Sequence, residues 1–367
     1  MAERLLNDYT LEEILLQLPL KYLMQFKCVC KSWYNLIANP SFVADYYSRK
    51  RDETCFFMSR LDRETGKPMM SLVAMDECVP NFVVQLVDLE VPPVFNKFTS
   101  DSIFRHYFGL LHGIVCYASG SDIALWNPCN KECKTLPPSL IPRLQEDFHV
   151  FSPRRIGFGF DFSKNFKILQ VFTIQHKQEI VNHFEIYNLS TNTWRVLEVD
   201  NVLAHCFLSS EEFTSNKNGS TFYCRGSIEH DNDAIVSFNF CDEGFKITRR
   251  PPYISYVDYD TISSYILPVK ESVILIYYTY DIIFEAWLLN RKGSWTYLFP
   301  FGCVVGAPKP LCLRESTELV CQDLESGHLL YIRSRCGERR DFGFHSKRDS
   351  MFVAEYKRSL FTIRLNR

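Results

Sequence analysis

The residues of this chain whose types could do chemistry are few, and their spacing does not favour it. Gly157-Phe158-Gly159 is a glycine pair of the kind that cradles phosphate on exposed backbone N–H groups. It lacks the third glycine and the helix onset of a dinucleotide loop, so the two glycines are expected in a strand at a tight corner. Cys116, Cys129 and Cys133 could offer thiolates to zinc, yet no C-x-x-C spacing and no paired histidine follow, and buried thiols are expected. Among nine histidines only His106 and His112 approach a constellation, and a turn or core role is the default. Neither a G-x-S-x-G nucleophile elbow nor an H-E-x-x-H helix occurs. No motif supports a hydrolase, a metal site or a cofactor.

The elements marked by the apolar pattern begin at residue 5. Leu11, Ile14, Leu15 and Leu18 fall at i, i+3, i+4 and i+7, which lines one face of a helix. Thr10 and Glu13 form a T-x-x-E capping box before that run, and Pro19 stops it. Leu23, Phe26, Val29, Cys30, Trp33, Leu36 and Ile37 return at helical spacing until Asn39-Pro40. The expected result is a three-helix unit of about forty residues, a size that buries little surface alone. Its large apolar side chains exceed what such a core can hide, so a partner or the following domain must cover some of them. A helical cap on the main domain is the competing reading of the pattern.

Leu18-Pro19, Lys21, Leu23, Phe26-Lys27-Cys28-Val29-Cys30-Lys31-Ser32-Trp33, Leu36-Ile37 and Asn39-Pro40 with Phe42 resemble the F-box motif of plant F-box proteins. The resemblance implies docking on a Skp-type adaptor and, indirectly, assembly with a cullin and a RING subunit of a ubiquitin ligase. The adaptor-binding residues it implies are Leu6, Leu11, Ile14, Leu15, Leu18, Pro19, Leu23, Phe26, Val29, Cys30 and Trp33. That family usually opens with Leu-Pro; here Leu6 precedes Asn7, which predicts weaker docking at that edge.

Composition bounds the rest. The 367 residues carry a net charge of −2, and no overall field favours nucleic acid or an anionic membrane. The 14 cysteines follow no framework and lie largely in apolar runs, and no N-terminal apolar h-region appears; a reduced cytoplasmic or nuclear compartment is expected. No uncharged run approaches the roughly eighteen residues of a membrane span. Asn188-Leu189-Ser190 and Asn218-Gly219-Ser220 match the glycosylation sequon but are expected to be turns.

Near Cys55 the apolar period changes from helical to alternating, which divides the chain into residues 1–50 and 51–367. In the second part a unit recurs: Ile123–Asn127 leads to Lys134–Pro138, Phe184–Leu189 to Trp194–Leu197, Ile235–Phe240 to Phe245–Ile247, Glu285–Asn290 to Trp295, and Val320–Leu324 to His328–Tyr331. Each is a strand ending near Asn or Asp, a polar turn and a second strand opening on a bulky residue. A spacing of roughly 35 to 60 residues predicts a β-propeller of five to seven blades, hence an α+β chain of two domains. Phe352–Ala354 and Ser359–Ile363 are expected to close it on Cys55–Met58. Trp126, Trp194, Trp287 and Trp295 are expected at equivalent places in the blade core.

Leu111–Ile114, Trp126–Pro128, Thr135–Pro138, Gly157–Asp161, Phe184–Asn188 and Thr193–Arg195 resemble the F-box-associated domain of plant F-box proteins, and their order looks like the S-locus F-box group. This implies a substrate receptor of a Skp-cullin-F-box ligase, holding a protein target for ubiquitination and degradation. For that group the implied target is a pistil S-ribonuclease, met in pollen-tube cytoplasm during self-incompatibility. The other readings are an adaptor-bound scaffold that promotes no degradation, and a propeller enzyme or sugar-binding domain with an incidental helical cap. The substrate-binding residues are not identified at this stage.

Overall fold

Four short helices precede the first strand in a computed structural model that describes residues 8–49, 55–65, 68–76, 83–97, 107–119, 122–140, 148–150, 154–176, 179–228, 232–251, 262–279, 284–301, 308–314, 318–333, 338–347 and 350–363. They are α1 (Asp8–Gln17), α2 (Leu20–Phe26), α3 (Lys31–Ala38) and α4 (Pro40–Arg49). Pro19 separates the first two, and Asn39 ends α3 while its side-chain oxygen accepts the N–H of Ser41 (2.9 Å) at the start of α4. The core of the unit needs all four helices, not three: Phe42, Val43 and Tyr46 of α4 are buried with Leu15, Leu16, Leu23 and Ile37. The expected capping box is not formed. Thr10 lies inside α1, and Glu13 instead accepts two hydrogen bonds from the Arg49 guanidinium (2.8 and 2.9 Å).

The remaining strands form six antiparallel sheets among the described residues, the blades of a propeller. Blade I contains β1 (Cys55–Leu61), β2 (Pro68–Asp76) and β3 (Val83–Asp88), and blade II contains β4 (Tyr107–Leu111), β5 (Ile114–Ser119), β6 (Asp122–Asn127) and β7 (Glu132–Thr135). Blade III contains β9 (Arg155–Phe160), β10 (Phe166–His176), β11 (Glu179–Asn188) and β12 (Thr193–Leu197), with the short β8 (Phe148–Val150) also pairing on β10. A short helix α5 (Asn201–His205) leads to blade IV: β13 (Phe207–Ser215), β14 (Thr221–Ile228), β15 (Asn232–Asn239) and β16 (Phe245–Arg249). Blade V holds β17 (Ile262–Pro268), β18 (Val273–Thr279), β19 (Phe284–Leu289) and β20 (Trp295–Phe301). Blade VI holds β21 (Pro308–Arg314), β22 (Glu318–Asp323), β23 (His328–Arg333) and β24 (Glu338–His345).

The last strand, β25 (Phe352–Tyr356), is the innermost strand of blade I and pairs with β1 from Cys55↔Tyr356 to Ser59↔Phe352. The ring is thus closed by joining the two ends of the propeller chain in one sheet, which leaves no unpaired inner edge. Around the axis β4, β9, β13, β17, β21 and β25 neighbour one another in turn and return to β4. The expected pairing of Ser359–Ile363 does not occur; that stretch leaves the sheet and runs to the helices.

The recurring turns owe their shape to one side chain each. Asn127, Asn188, Asn239, Asn290 and Asp323 accept the N–H two residues ahead at 2.8–3.0 Å, and Lys131, Asn192, Glu243, Gly293 and Gly327 then adopt positive φ. Four of these turns join the third and fourth strands of blades II to V. The fifth joins the second and third strands of blade VI, so the last copy of the repeat is one strand out of phase with the others. The tryptophans also form two pairs and not one set. Trp126 and Trp287 lie on third strands, whereas Trp194 and Trp295 open fourth strands and donate their indole N–H to Pro137 (2.9 Å) and Arg249 (2.8 Å) of the preceding blade.

Candidate functional site

Successive antiparallel strands turn at alternate ends of a blade, so the propeller has two distinct faces. One carries the turns between first and second and between third and fourth strands; the other carries the connections between blades. The helical unit sits on the first. Tyr47 of α4 packs edge-on against His112, in the β4–β5 turn, with ring centroids 4.8 Å apart, and its carbonyl accepts a hydrogen bond from Lys357, just beyond β25.

The C-terminal segment 357–363 fastens this seam. Leu360 is buried in the core of the helices, and Phe361 packs against both the helices and the core shared by blades II and III. Asn127 donates to the carbonyls of Ser359 (3.2 Å) and Phe361 (2.8 Å), and Glu132 accepts from Thr362 and the Ile363 N–H (2.7 Å). Gly113 has φ of +75°, and a Cβ there would stand 2.6 Å from the Lys357 carbonyl, so the segment crosses the turn where only glycine fits. Burial holds the His112 imidazole down to about 4, with Lys164 and Lys357 adding to the effect, and raises the Tyr47 phenol to about 12. Both ring nitrogens of His112 are buried without a hydrogen-bond partner.

Compared with known families, residues 5–45 match the F-box domain and residues 73–363 match the F-box associated beta propeller domain. The chain belongs to the F-box proteins. It is similar to the Arabidopsis thaliana F-box/kelch-repeat protein At3g23880, 23% identical over 88% of this chain and 86% of that one. Another Arabidopsis thaliana F-box protein, At1g70960, is 24% identical over 77% of this chain and 74% of its own. Among solved structures, TolB of Acinetobacter baumannii aligns with a TM-score of 0.43 at 10% identity, over 82% of this chain and 66% of that one.

Within the F-box unit the residues implied as adaptor contacts divide by exposure. Leu15 and Leu23 are sealed in the unit's own core at 1% and 0% exposure, so neither reaches a partner while the unit is folded. Leu11, Leu18, Phe26 and Trp33 are half-buried, with Phe26 and Trp33 packed edge to face at 5.1 Å. Ile14, Pro19, Val29 and Cys30 are exposed, Val29 at 62%. Leu6 lies outside the described residues. Helical periodicity alone put Leu11, Ile14, Leu15 and Leu18 on one face; the fold turns Ile14 outward because Leu16 takes the inward place. Exposed Tyr9, Tyr22 and Tyr34 were not singled out by the pattern, nor was Leu360, whose only sequence signal is an apolar Leu360-Phe361 pair after the last strand.

The other candidates resolve into structure. Gly157 and Gly159 lie in β9, where a Cβ at Gly157 would come within 2.7 Å of the Phe222 ring, so they permit close blade packing and not phosphate binding. Cys116 is fully buried in β5 with its thiol pushed up to about 12, and Cys129 Sγ lies 3.2 Å from the Tyr356 hydroxyl. His106 lies outside the described residues. Asn188 and Asn218 of the sequons both accept turn N–H groups. Along the axis runs a cavity of about 1200 Å³, lined chiefly by apolar side chains of the innermost strands and crossed by a Lys217–Glu355 ion pair (2.9 Å).

Proposed function

We propose that this F-box protein is the non-catalytic substrate receptor of a Skp-cullin-F-box ubiquitin ligase, working in the cytoplasm or nucleus and committing its target to degradation. The helices dock on a Skp-type adaptor, which brings a cullin and a RING subunit, while the propeller holds the target on the face remote from the helices. Ubiquitin transfer then becomes effectively intramolecular, with the gain coming from local concentration and from no acid or base in this chain. The observation that supports this is the surface left after the unit has packed: Ile14 and Val29 remain exposed although Leu360 and α4 have completed the core beneath them. The S-locus-like order of motifs makes a pistil S-ribonuclease the first target to try.

The test is capture of a purified Skp-type adaptor by the full-length protein. Ile14→Asp with Val29→Asp is expected to abolish capture without changing the melting temperature, because neither side chain supports the core. Capture that survives both substitutions would count against the assignment.

A further inference from the structure

Five charged side chains are buried among the described residues: Arg155, Lys167, Glu185, Glu285 and Glu318. Four of them are well supplied with partners. Arg155 donates to the Leu208 and Ser209 carbonyls and to the Thr173 hydroxyl, and Lys167 to Glu243 (2.9 Å) and the Phe240 carbonyl (3.3 Å). Glu185 accepts from the Ser139 hydroxyl (2.8 Å) and the Leu140 N–H and pairs with His183, while Glu318 accepts from Arg333 (3.2 Å). Glu285, on β19, is 5% exposed, and the bond it accepts comes from the indole N–H of Trp287, two residues along the same strand, at 3.5 Å. Arg250 reaches the same side of blade V but is engaged elsewhere, its Nε with the Tyr277 hydroxyl (3.0 Å) and its Nη1 with Asp233. A carboxylate withdrawn from water in this way costs the fold stability until a cation reaches it.

The walls around this carboxylate are aromatic. Glu285 and Trp287 share one side of β19, and the ladder sets Tyr277 of β18 opposite Glu285 and Tyr297 of β20 opposite Trp287 on that same side. Trp287 is buried and meets Tyr297 edge to face with ring centroids 5.1 Å apart, whereas Tyr297, on the outermost strand of the blade, is 40% exposed. Burial and the Glu285 carboxylate both raise the Tyr297 phenol, so the buried charge is felt at the exposed ring. Glu285 is the second residue of β19, a strand that starts at the face remote from the helices.

We propose that Glu285, Trp287 and Tyr297 receive the guanidinium of an arginine side chain on the protein target. The indole N–H occupies Oε2, which leaves Oε1 to accept from the guanidinium while the planar cation lies against the Tyr297 ring. A guanidinium suits the site better than an ammonium because it is flat, stacks on aromatic faces and gives up its water more readily. A metal ion does not suit it, since one carboxylate among aromatic rings supplies too few oxygen ligands. Binding gives the carboxylate the partner that the fold withholds, so the cost of burying it is offset only in the complex. The occupant follows from the substrate-receptor reading, on which this inference rests.

The test uses the full chain labelled with fluorotryptophan, its Trp287 signal assigned through Trp287→Phe, and three probes: N-acetyl-arginine amide, its citrulline counterpart, which keeps the shape without the charge, and its lysine counterpart. The arginine compound is expected to shift the Trp287 signal saturably, with the citrulline compound at least about tenfold weaker and the lysine compound intermediate. Glu285→Gln should weaken arginine binding at least about tenfold, and Tyr297→Ser, at an exposed ring, by about threefold. Because the carboxylate lacks a cation in the free protein, Glu285→Gln should leave the melting temperature unchanged or raise it. No saturable shift with arginine, an equal shift with citrulline, a stronger one with lysine, or arginine binding indifferent to Glu285→Gln would overturn the proposal. A melting temperature lowered by Glu285→Gln would overturn it equally, by showing that the fold already satisfies the carboxylate. Adaptor capture by the unaltered protein is measured separately; its failure would refute the ligase reading and leave the arginine pocket standing.

Discussion

The two faces of the propeller use polar side chains for opposite ends. On the helix-bearing face they close turns and bind the chain's own tail: Asn127 serves the β6–β7 turn and the carbonyls of Ser359 and Phe361 at once. On the remote face a buried polar network of Arg155, Thr173 and Asn182 stiffens a surface that stays apolar and open. The first arrangement joins two domains. The second braces α5 and the start of β13 against blade III. The difference teaches that burial of polar groups in this fold serves geometry on both sides, by joining domains on one and by bracing a seam between blades on the other.

The strongest way to break this contrast is at the C-terminus. A chain ending at Tyr356 keeps β25 and a closed ring but loses Leu360 from the helical core, where removing even part of a buried leucine costs about 2–5 kcal/mol. A chain ending before Phe352 also loses the innermost strand of blade I. The chain ending at Tyr356 is expected to melt the helices selectively, seen as lost amide protection in α1–α4 with blades IV and V unchanged, whereas the chain ending before Phe352 should lose cooperative unfolding altogether. Helix protection in the chain ending at Tyr356 equal to that of the full-length chain would show that the tail does not fasten the seam.

A smaller effect is expected from pH, and it too belongs to the helix-bearing face. His112 is held near 4 in the fold against an ordinary value near 6.5, so the native state binds fewer protons than the unfolded one between those limits. Its contribution to stability is complete above about 6.5 and is lost as pH falls toward 4, by up to about 3 kcal/mol. His112→Asn keeps a residue that tolerates the observed φ of +48° but removes the titration, and should flatten the slope of stability against pH in that window. An unchanged slope in chemical denaturation would place the acid sensitivity elsewhere.

How much of this was legible follows the range of the interaction. Asn and Asp at strand ends announced their turns because the bond that makes the turn spans two residues. The same locality misled the phase of blade VI: Asp323 closes its hairpin as Asn127 does, yet one strand earlier in the ladder, since a turn signal identifies a hairpin and not its place in a blade. Leu15 and Leu23 looked like docking residues because periodicity reports an apolar face without saying what covers it. Their cover includes Leu360, more than three hundred positions away, and no local pattern reaches that far. The Arg155 network was invisible for the same reason, its acceptors lying on β10 and β13.

The smallest predicted effect separates local from distant work within a single residue type. Asn239 and Asn127 each accept one turn N–H, from Cys241 (2.8 Å) and Cys129 (2.9 Å), but only Asn127 also holds the tail. Asn239→Ala removes a partly exposed turn bond and should cost about 1 kcal/mol. Asn127→Ala takes its donor from the Ser359 carbonyl and leaves the Phe361 carbonyl only the longer bond from Asn130 (3.3 Å), and should cost about 1–3 kcal/mol more. In the chain ending at Tyr356 those carbonyls are gone, so the cost of Asn127→Ala should fall to that of Asn239→Ala, a coupling that urea denaturation of the four combinations measures directly. If Asn127→Ala costs the same in both chains, its amide is occupied by the turn alone, and the tail is held to blade II by Glu132 and by the packing of Phe361 and Ile363 instead.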